Sequence, residues 1–256
     1  MAKWDTVILG TASVSAKGGY RYILEGAGNG ADGLRFYLDV GCHTVGRGAV
    51  DVHLPFDDVS REHCVLEVLA DGGEAALIDP SRDIAPYLEA ARKVDARIRY
   101  VVETHRQEDF VMGAAHLART TGASVVNGRH ELFGHGDIRL ADGETLTVGS
   151  LTLRALETPG HTPESMSWAV FTDADATEAW CVFTGDALFF GTTGRTDLPD
   201  ADRSVENAGL LWDSVHDKLA GLGDTTLICP AHGPGSVCGG EMSDRPWSTL
   251  GEEKRY

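Results

Sequence analysis

The chain has 256 residues, 39 acidic side chains against 22 basic ones, and a formal charge of −17. That length can bury a real core in one or at most two domains, and 42% hydrophobic with 24% charged residues excludes wholesale disorder. The acidity excludes an electrostatic nucleic-acid binder, and no run of about 18 apolar residues offers a membrane span.

The segment from about 5 to 50 is rich in glycine and turn signals, with short apolar runs such as Tyr22-Ile23-Leu24 and Phe36-Tyr37-Leu38. It reads as strand and loop. Val7-Ile8-Leu9, interrupted by Asp5 and Gly10, is too short and too polar for a secretory signal. From residue 64 the pattern becomes regular. Residues 64–69 and 74–79 flank Asp71-Gly72-Gly73 as a hairpin. Ile84, Tyr87, Leu88, Ala91 and Val94 recur at helical spacing, with Pro86 in the first turn. A strand over 98–103, a helix from Asp109 to Thr120 closed by Gly122, and a short strand at Ser124-Val125-Val126 follow. Residues 145–157 alternate around a Gly149-Ser150 turn. Strands over 165–171 and 180–184, a helix over 204–220 and a strand over 225–229 complete an α/β pattern. Cys42, Cys64, Cys181, Cys229 and Cys238 are odd in number and scattered. They read as reduced thiols in a cytoplasmic protein.

Four strand ends each carry one residue suited to metal binding beside Gly, Pro or another polar residue. His105 follows the 98–103 strand, His161 follows the alternating segment, Asp186 follows residues 180–184, and His232 follows Leu227-Ile228-Cys229. Loops held by a rigid sheet are where catalytic side chains concentrate.

Thr104-His105-Arg106-Gln107-Glu108-Asp109, Thr158-Pro159-Gly160-His161-Thr162-Pro163, Thr184-Gly185-Asp186-Ala187-Leu188-Phe189 and Pro230-Ala231-His232-Gly233 resemble, in that order, the motifs of the metallo-β-lactamase superfamily. The resemblance spans residues 65–256 and implies an αββα sandwich with an N-terminal β-rich extension. The expected division is 1–50 for the extension and 51–256 for the metallo-β-lactamase-like domain. Asp79-Pro80-Ser81-Arg82-Asp83, Gly194-Arg195-Thr196-Asp197-Leu198 and Gly235-Ser236-Val237-Cys238-Gly239 resemble the persulfide dioxygenase branch.

The superfamily's two-metal members read H-x-H-x-D-H at the first motif. Here Gln107 replaces the second His and Phe110 the last, while Asp109 remains. A hydrolase that activates a hydroxide between two zinc ions needs both pockets, so the departures point away from that mechanism. His105, His161 and Asp186 survive, and two imidazoles with one carboxylate are the donor set of a non-heme Fe(II) site. The resemblance implies one Fe(II) per chain, with zinc as the alternative, in an enzyme that uses O2 to oxidise a small-molecule thiol persulfide to sulfite and thiol. Asp109, His232 and Gln107 would orient ligands or substrate through hydrogen bonds. Arg195 could pair a substrate carboxylate or stiffen its loop against Asp197 or Asp200. Cys238 reads as a substrate contact or a small buried hydrophobe. The resemblance further suggests a homodimer and a separate rhodanese-like sulfurtransferase as partner.

Two other functions are expected to compete. One is a metal-dependent thioester hydrolase of glyoxalase II type. The other is a non-catalytic phosphopeptide binder, because Thr44-Val45-Gly46-Arg47-Gly48 and Val59-Ser60-Arg61-Glu62-His63 resemble signature loops of a forkhead-associated domain. That resemblance, over residues 20–64, would make Arg47, Ser60 and Arg61 the phosphate contacts.

Overall fold

In the computed structural model the described residues are 73–255, apart from 94–95, 108–109, 173–175, 199, 234–235, 241, 244 and 246, together with the backbone of six earlier strands. Those strands are β1 (Val7–Gly10), β2 (Tyr20–Gly26), β3 (Arg35–Asp39), β4 (Val45–Gly46), β5 (Val52–His53) and β6 (Leu66–Ala70). The chain continues through β7 (Glu74–Ile78), α1 (Ala85–Lys93), β8 (Arg97–Val102), α2 (Ala114–Thr121), β9 (Ser124–Gly128), β10 (Ile138–Leu140) and β11 (Thr145–Val148). Then come β12 (Leu151–Glu157), β13 (Met166–Phe171), β14 (Cys181–Gly185), α3 (Ser204–Asp213), β15 (Leu227–Pro230) and α4 (Leu250–Glu253).

Two sheets face each other. One runs β10-β9-β8-β7-β6-β1-β2-β3, the other β11-β12-β13-β14-β15. Period-2 alternation explains the layering. On β13, Met166, Trp168 and Val170 point between the sheets, where they meet Ala76, Val102, Val126, Leu153 and Phe183. Ala169 and Phe171 point the other way, onto Leu211, Leu219 and Leu250 of the helical layer. On the far side, Tyr87 and Ala91 of α1 and Leu117 of α2 cover Leu77, Val101 and Val125. The expected αββα sandwich is therefore what the chain forms. Among the described residues no helix is long and apolar enough to cross a membrane.

The N-terminal strands belong to this architecture. β1 pairs antiparallel with β2 and parallel with β6, which pairs antiparallel with β7. The forkhead-associated resemblance finds no support, because β1–β3 extend the larger sheet. Arg47, Ser60 and Arg61 lie outside the described residues.

Two helices differ from expectation, each for a local reason. α2 begins at Ala114, not Asp109, because Gly113 donates to the Pro80 carbonyl at 2.7 Å and Met112 bridges Ser81. Asp109 itself is outside the described residues. The helix expected over 204–220 changes at Ser214 into a π-helical turn, Ser214–Leu219. There the Ser214 hydroxyl reaches the carbonyls of Pro159 and Leu210, both at 2.9 Å, and wide turns of this kind often sit beside functional sites. Ser214→Ala is expected to lower stability by about 1 kcal/mol. Urea unfolding should show a lower midpoint with an unchanged slope.

Candidate metal centre

The sheets are stitched together where the candidate ligands lie. Trp168 Nε1 donates to the Glu103 carbonyl at 3.1 Å, and Met166 N donates to the Thr104 carbonyl at 2.7 Å. The end of β8 is thus fastened to β13, and His105 follows at once. His161 sits in the β12–β13 connection. Asp186 follows β14 and His232 follows β15, and these strands are parallel neighbours, joined again where Ala231 N donates to the Gly185 carbonyl at 3.0 Å. One end of the molecule therefore gathers four residues far apart in sequence.

They converge on one atom. Asp186 Oδ2 lies 3.2 Å from His161 Nε2, 3.4 Å from His232 Nε2 and 3.7 Å from His105 Nε2. All four residues are buried, each at most 3% exposed. The outer nitrogens fix the tautomers. His161 Nδ1 lies 2.8 Å from the Arg195 carbonyl, which only accepts, so Nδ1 carries the proton. Thr104 Oγ1 donates to Asp79 Oδ2 at 2.6 Å and thereby accepts from His105 Nδ1 at 2.9 Å. Burial pushes the His105 imidazole down to about 4, with Asp186 opposing, so it is neutral at physiological pH. For Asp186, burial would push the carboxyl up, but the His232 hydrogen bond and the electrostatic influence of the three surrounding imidazoles outweigh it and hold the group below its usual range.

This arrangement fits a cation. His161 Nε2 and Asp186 Oδ1 are buried with no hydrogen-bond partner. His161 Nε2 faces Asp186 Oδ2 at 3.2 Å, and a metal ion held between nitrogen and carboxylate would satisfy both groups. The ligand atoms of His105, His161 and Asp186 lie within 4.8 Å of one another.

Other expected residues fall less uniformly. Gln107 Nε2 lies 3.4 Å from His105 Nδ1, behind the ring and on the side away from Asp186. The Phe110 ring stands edge-on to His232, with centroids 6.2 Å apart. Cys238 is buried, and its sulfur clusters with Asp186 and His232. The Arg195 guanidinium forms a two-pronged ion pair with Asp197 at 3.0 and 2.7 Å. Its backbone does more for the centre: the carbonyl orients His161, and the amide donates to the Cys238 carbonyl at 2.8 Å.

Several contributors escape sequence reasoning. Thr104 links Asp79 to His105, and a Thr immediately before a ligand His was the available signal. Glu164 is buried, and its Oε1 accepts from Arg106 N at 3.2 Å. Two glycines are required. A Cβ on Gly194 would lie 2.0 Å from the Asp186 carbonyl and 3.0 Å from His161 Nδ1. Gly160 has φ +137°, and a Cβ there would lie 2.5 Å from Leu211 Cβ, so α3 presses directly on the His161 loop.

The metallo-β-lactamase superfamily sequence model matches residues 64–232, more than half the chain. Human mitochondrial persulfide dioxygenase ETHE1 is 32% identical over 69% of this chain and 66% of its own length. A hydroxyacylglutathione hydrolase of Albidiferax ferrireducens is also 32% identical, over 63% of this chain and 59% of its own. The crystal structure of ETHE1 from Myxococcus xanthus superposes with a TM-score of 0.58 at 29% identity, covering 74% of this chain and 75% of that one.

Two outcomes follow from this geometry. Gly194→Ala should weaken metal binding tenfold or more, read as metal content after dialysis of a variant whose circular dichroism is unchanged. Burial also raises the Asp79 carboxyl, against its Thr104 hydrogen bonds, to about 7. A folded value above the unfolded one gives stability that is full below about pH 4 and lost as pH rises through about 7. In metal-free protein, Asp79→Asn should therefore flatten the fall in melting temperature between pH 4 and 7. The component removed is on the order of 4 kcal/mol.

Proposed function

Because the chain belongs to the metallo-β-lactamase superfamily, we propose that it is a metalloenzyme of the persulfide dioxygenase type, with one ferrous ion held by His105, His161 and Asp186. The carrying observation is the position of Gln107. Its amide stands behind His105, not among the donors facing Asp186, so it adds no donor to the His105, His161 and Asp186 group, whose ligand atoms lie within 4.8 Å of one another and comprise two imidazoles and one carboxylate. That set suits a single Fe(II) with open positions. The similarity to human and bacterial ETHE1 supports the same reading.

In this proposal a thiol persulfide, dioxygen and water give the thiol and sulfite: RSSH + O2 + H2O → RSH + SO3²⁻ + 2H⁺. Iron held by these residues would supply the redox chemistry. The protein's own groups prepare the place. The Arg195 carbonyl and the Thr104 hydroxyl each hold an Nδ1 proton, keeping both Nε2 lone pairs turned inward. Phe110 and Phe189, with ring centroids 6.2 and 6.3 Å from that of His232, supply apolar walls that limit water. His232, beside Asp186 Oδ2, holds the carboxylate in its ionised form.

The equal identity to a hydroxyacylglutathione hydrolase keeps a zinc-dependent thioester hydrolase as the second reading. Anaerobic loading with Fe(II) followed by glutathione persulfide should give oxygen uptake with sulfite formed in equal amount. His105→Ala should lower that rate at least 100-fold. Absence of uptake by iron-loaded protein, together with turnover of a hydroxyacylglutathione thioester by zinc-loaded protein, would reverse the assignment.

A further inference from the structure

His161 is aimed by a turn that hangs from the end of β14. After Asp186 the chain folds back on itself: Leu188 bridges Thr193, and Phe189 N donates to the Thr192 carbonyl at 2.8 Å. The returning arm carries Gly194, packed against the Asp186 carbonyl, and Arg195, whose carbonyl lies 2.8 Å from His161 Nδ1. A two-armed turn is marginal by itself, so whatever grips its tip sets how well that carbonyl is aimed.

The grip comes from α4. Glu253 Oε2 accepts from Gly191 N, at the tip, at 2.8 Å, and Ser243 N donates to the adjoining Phe190 carbonyl at 2.8 Å. Gly191 has φ +80°, a conformation that suits glycine. α4 is in turn fastened to β15. Ile228 N donates to the Ser248 carbonyl and Leu250 N to the Thr226 carbonyl, both at 3.0 Å, and Leu250 is buried among Leu219, Leu222 and Ile228. β15 is the strand that leads to His232. One carboxylate therefore ties the strand behind one imidazole to the turn behind another, from outside the ring of donors.

The second oxygen of that carboxylate is engaged as well. Glu253 Oε1 accepts from Arg245 Nη2 at 2.9 Å and from the Ser248 hydroxyl, and the side chain is only 8% exposed. Arg245 Nε donates to Ser243 Oγ at 3.1 Å, so both contacts on the tip belong to one network. Bonds to an ionised carboxylate are stronger than neutral ones, and burial protects them from screening.

We propose that Glu253 is a positioning residue of the metal centre: its carboxylate clamps the tip of the 187–194 turn to α4 and so holds the Arg195 carbonyl against His161 Nδ1. The proposal rests on His161 being a ligand, which the dioxygenase and hydrolase readings share, and not on which reaction follows.

Two measurements on the full-length protein test it. The first is zinc release to a chromophoric chelator from zinc-loaded protein. Glu253→Ala should release zinc about tenfold faster or more, and Glu253→Gln, which keeps one acceptor oxygen for three donors, should fall between. Lys254→Ala loosens the same helix elsewhere, at its ion pair with Asp224, and should leave release unchanged. The second is proton exchange in metal-free protein, read by nuclear magnetic resonance. The Gly191 amide should be protected in the unaltered chain, and the His161 Nδ1 proton should exchange faster in Glu253→Ala than in Lys254→Ala. An unprotected Gly191 amide needs no variant and overturns the proposal. So does zinc release from Glu253→Ala at the unaltered rate, or from Lys254→Ala at the Glu253→Ala rate. If the unaltered protein takes up no metal, the reading of the centre fails, and the exchange rates still decide for or against the clamp.

Discussion

Asp186 holds a negative charge where water does not reach, and an isolated buried carboxylate costs several kcal/mol. Three imidazole nitrogens within 3.7 Å of one of its oxygens are the protein's answer, and a bound cation completes it. Much of the local structure serves that requirement. Asp186 and His232 need neighbouring parallel strands that end together, which β14 and β15 provide. His105 comes from the opposite sheet and needs the Trp168 and Met166 bonds to bring that sheet close. His161 needs a loop narrow enough to sit under α3, and the contact between Gly160 and Leu211 makes it so.

The main features of this design were legible in the residues. Four polar side chains at strand ends pointed to one site, and each lies there, because strand alternation and short loops are local properties that survive folding. The hairpin over 64–79 and the glycine end of α2 were legible for the same reason. What was not legible depends on partners distant in sequence. Ser214 turns a helix wide because Pro159, 55 residues earlier, offers a carbonyl. Gly113 delays α2 because Pro80 holds its amide. Arg195 was read by its side chain, but what reaches the centre is its backbone carbonyl, which every residue type carries and no sequence pattern reports.

Relatives with two different named activities share this scaffold at equal identity. The fold supplies the strand ends, and the reaction is decided by a few positions upon them. In this chain Gln107 stands behind the His105 ring, Phe110 edge-on to His232, and Cys238 beside Asp186.

The bond from His161 to the Arg195 carbonyl separates two kinds of evolutionary freedom. A carbonyl is indifferent to the side chain it belongs to, so residue 195 can change its chemistry while the imidazole keeps its aim. Glycine at 194 is constrained by contact, whereas its neighbour is constrained only in path. The side chain at 195 can thus change without moving the carbonyl that orients His161, whereas Gly194 beside it cannot take a Cβ.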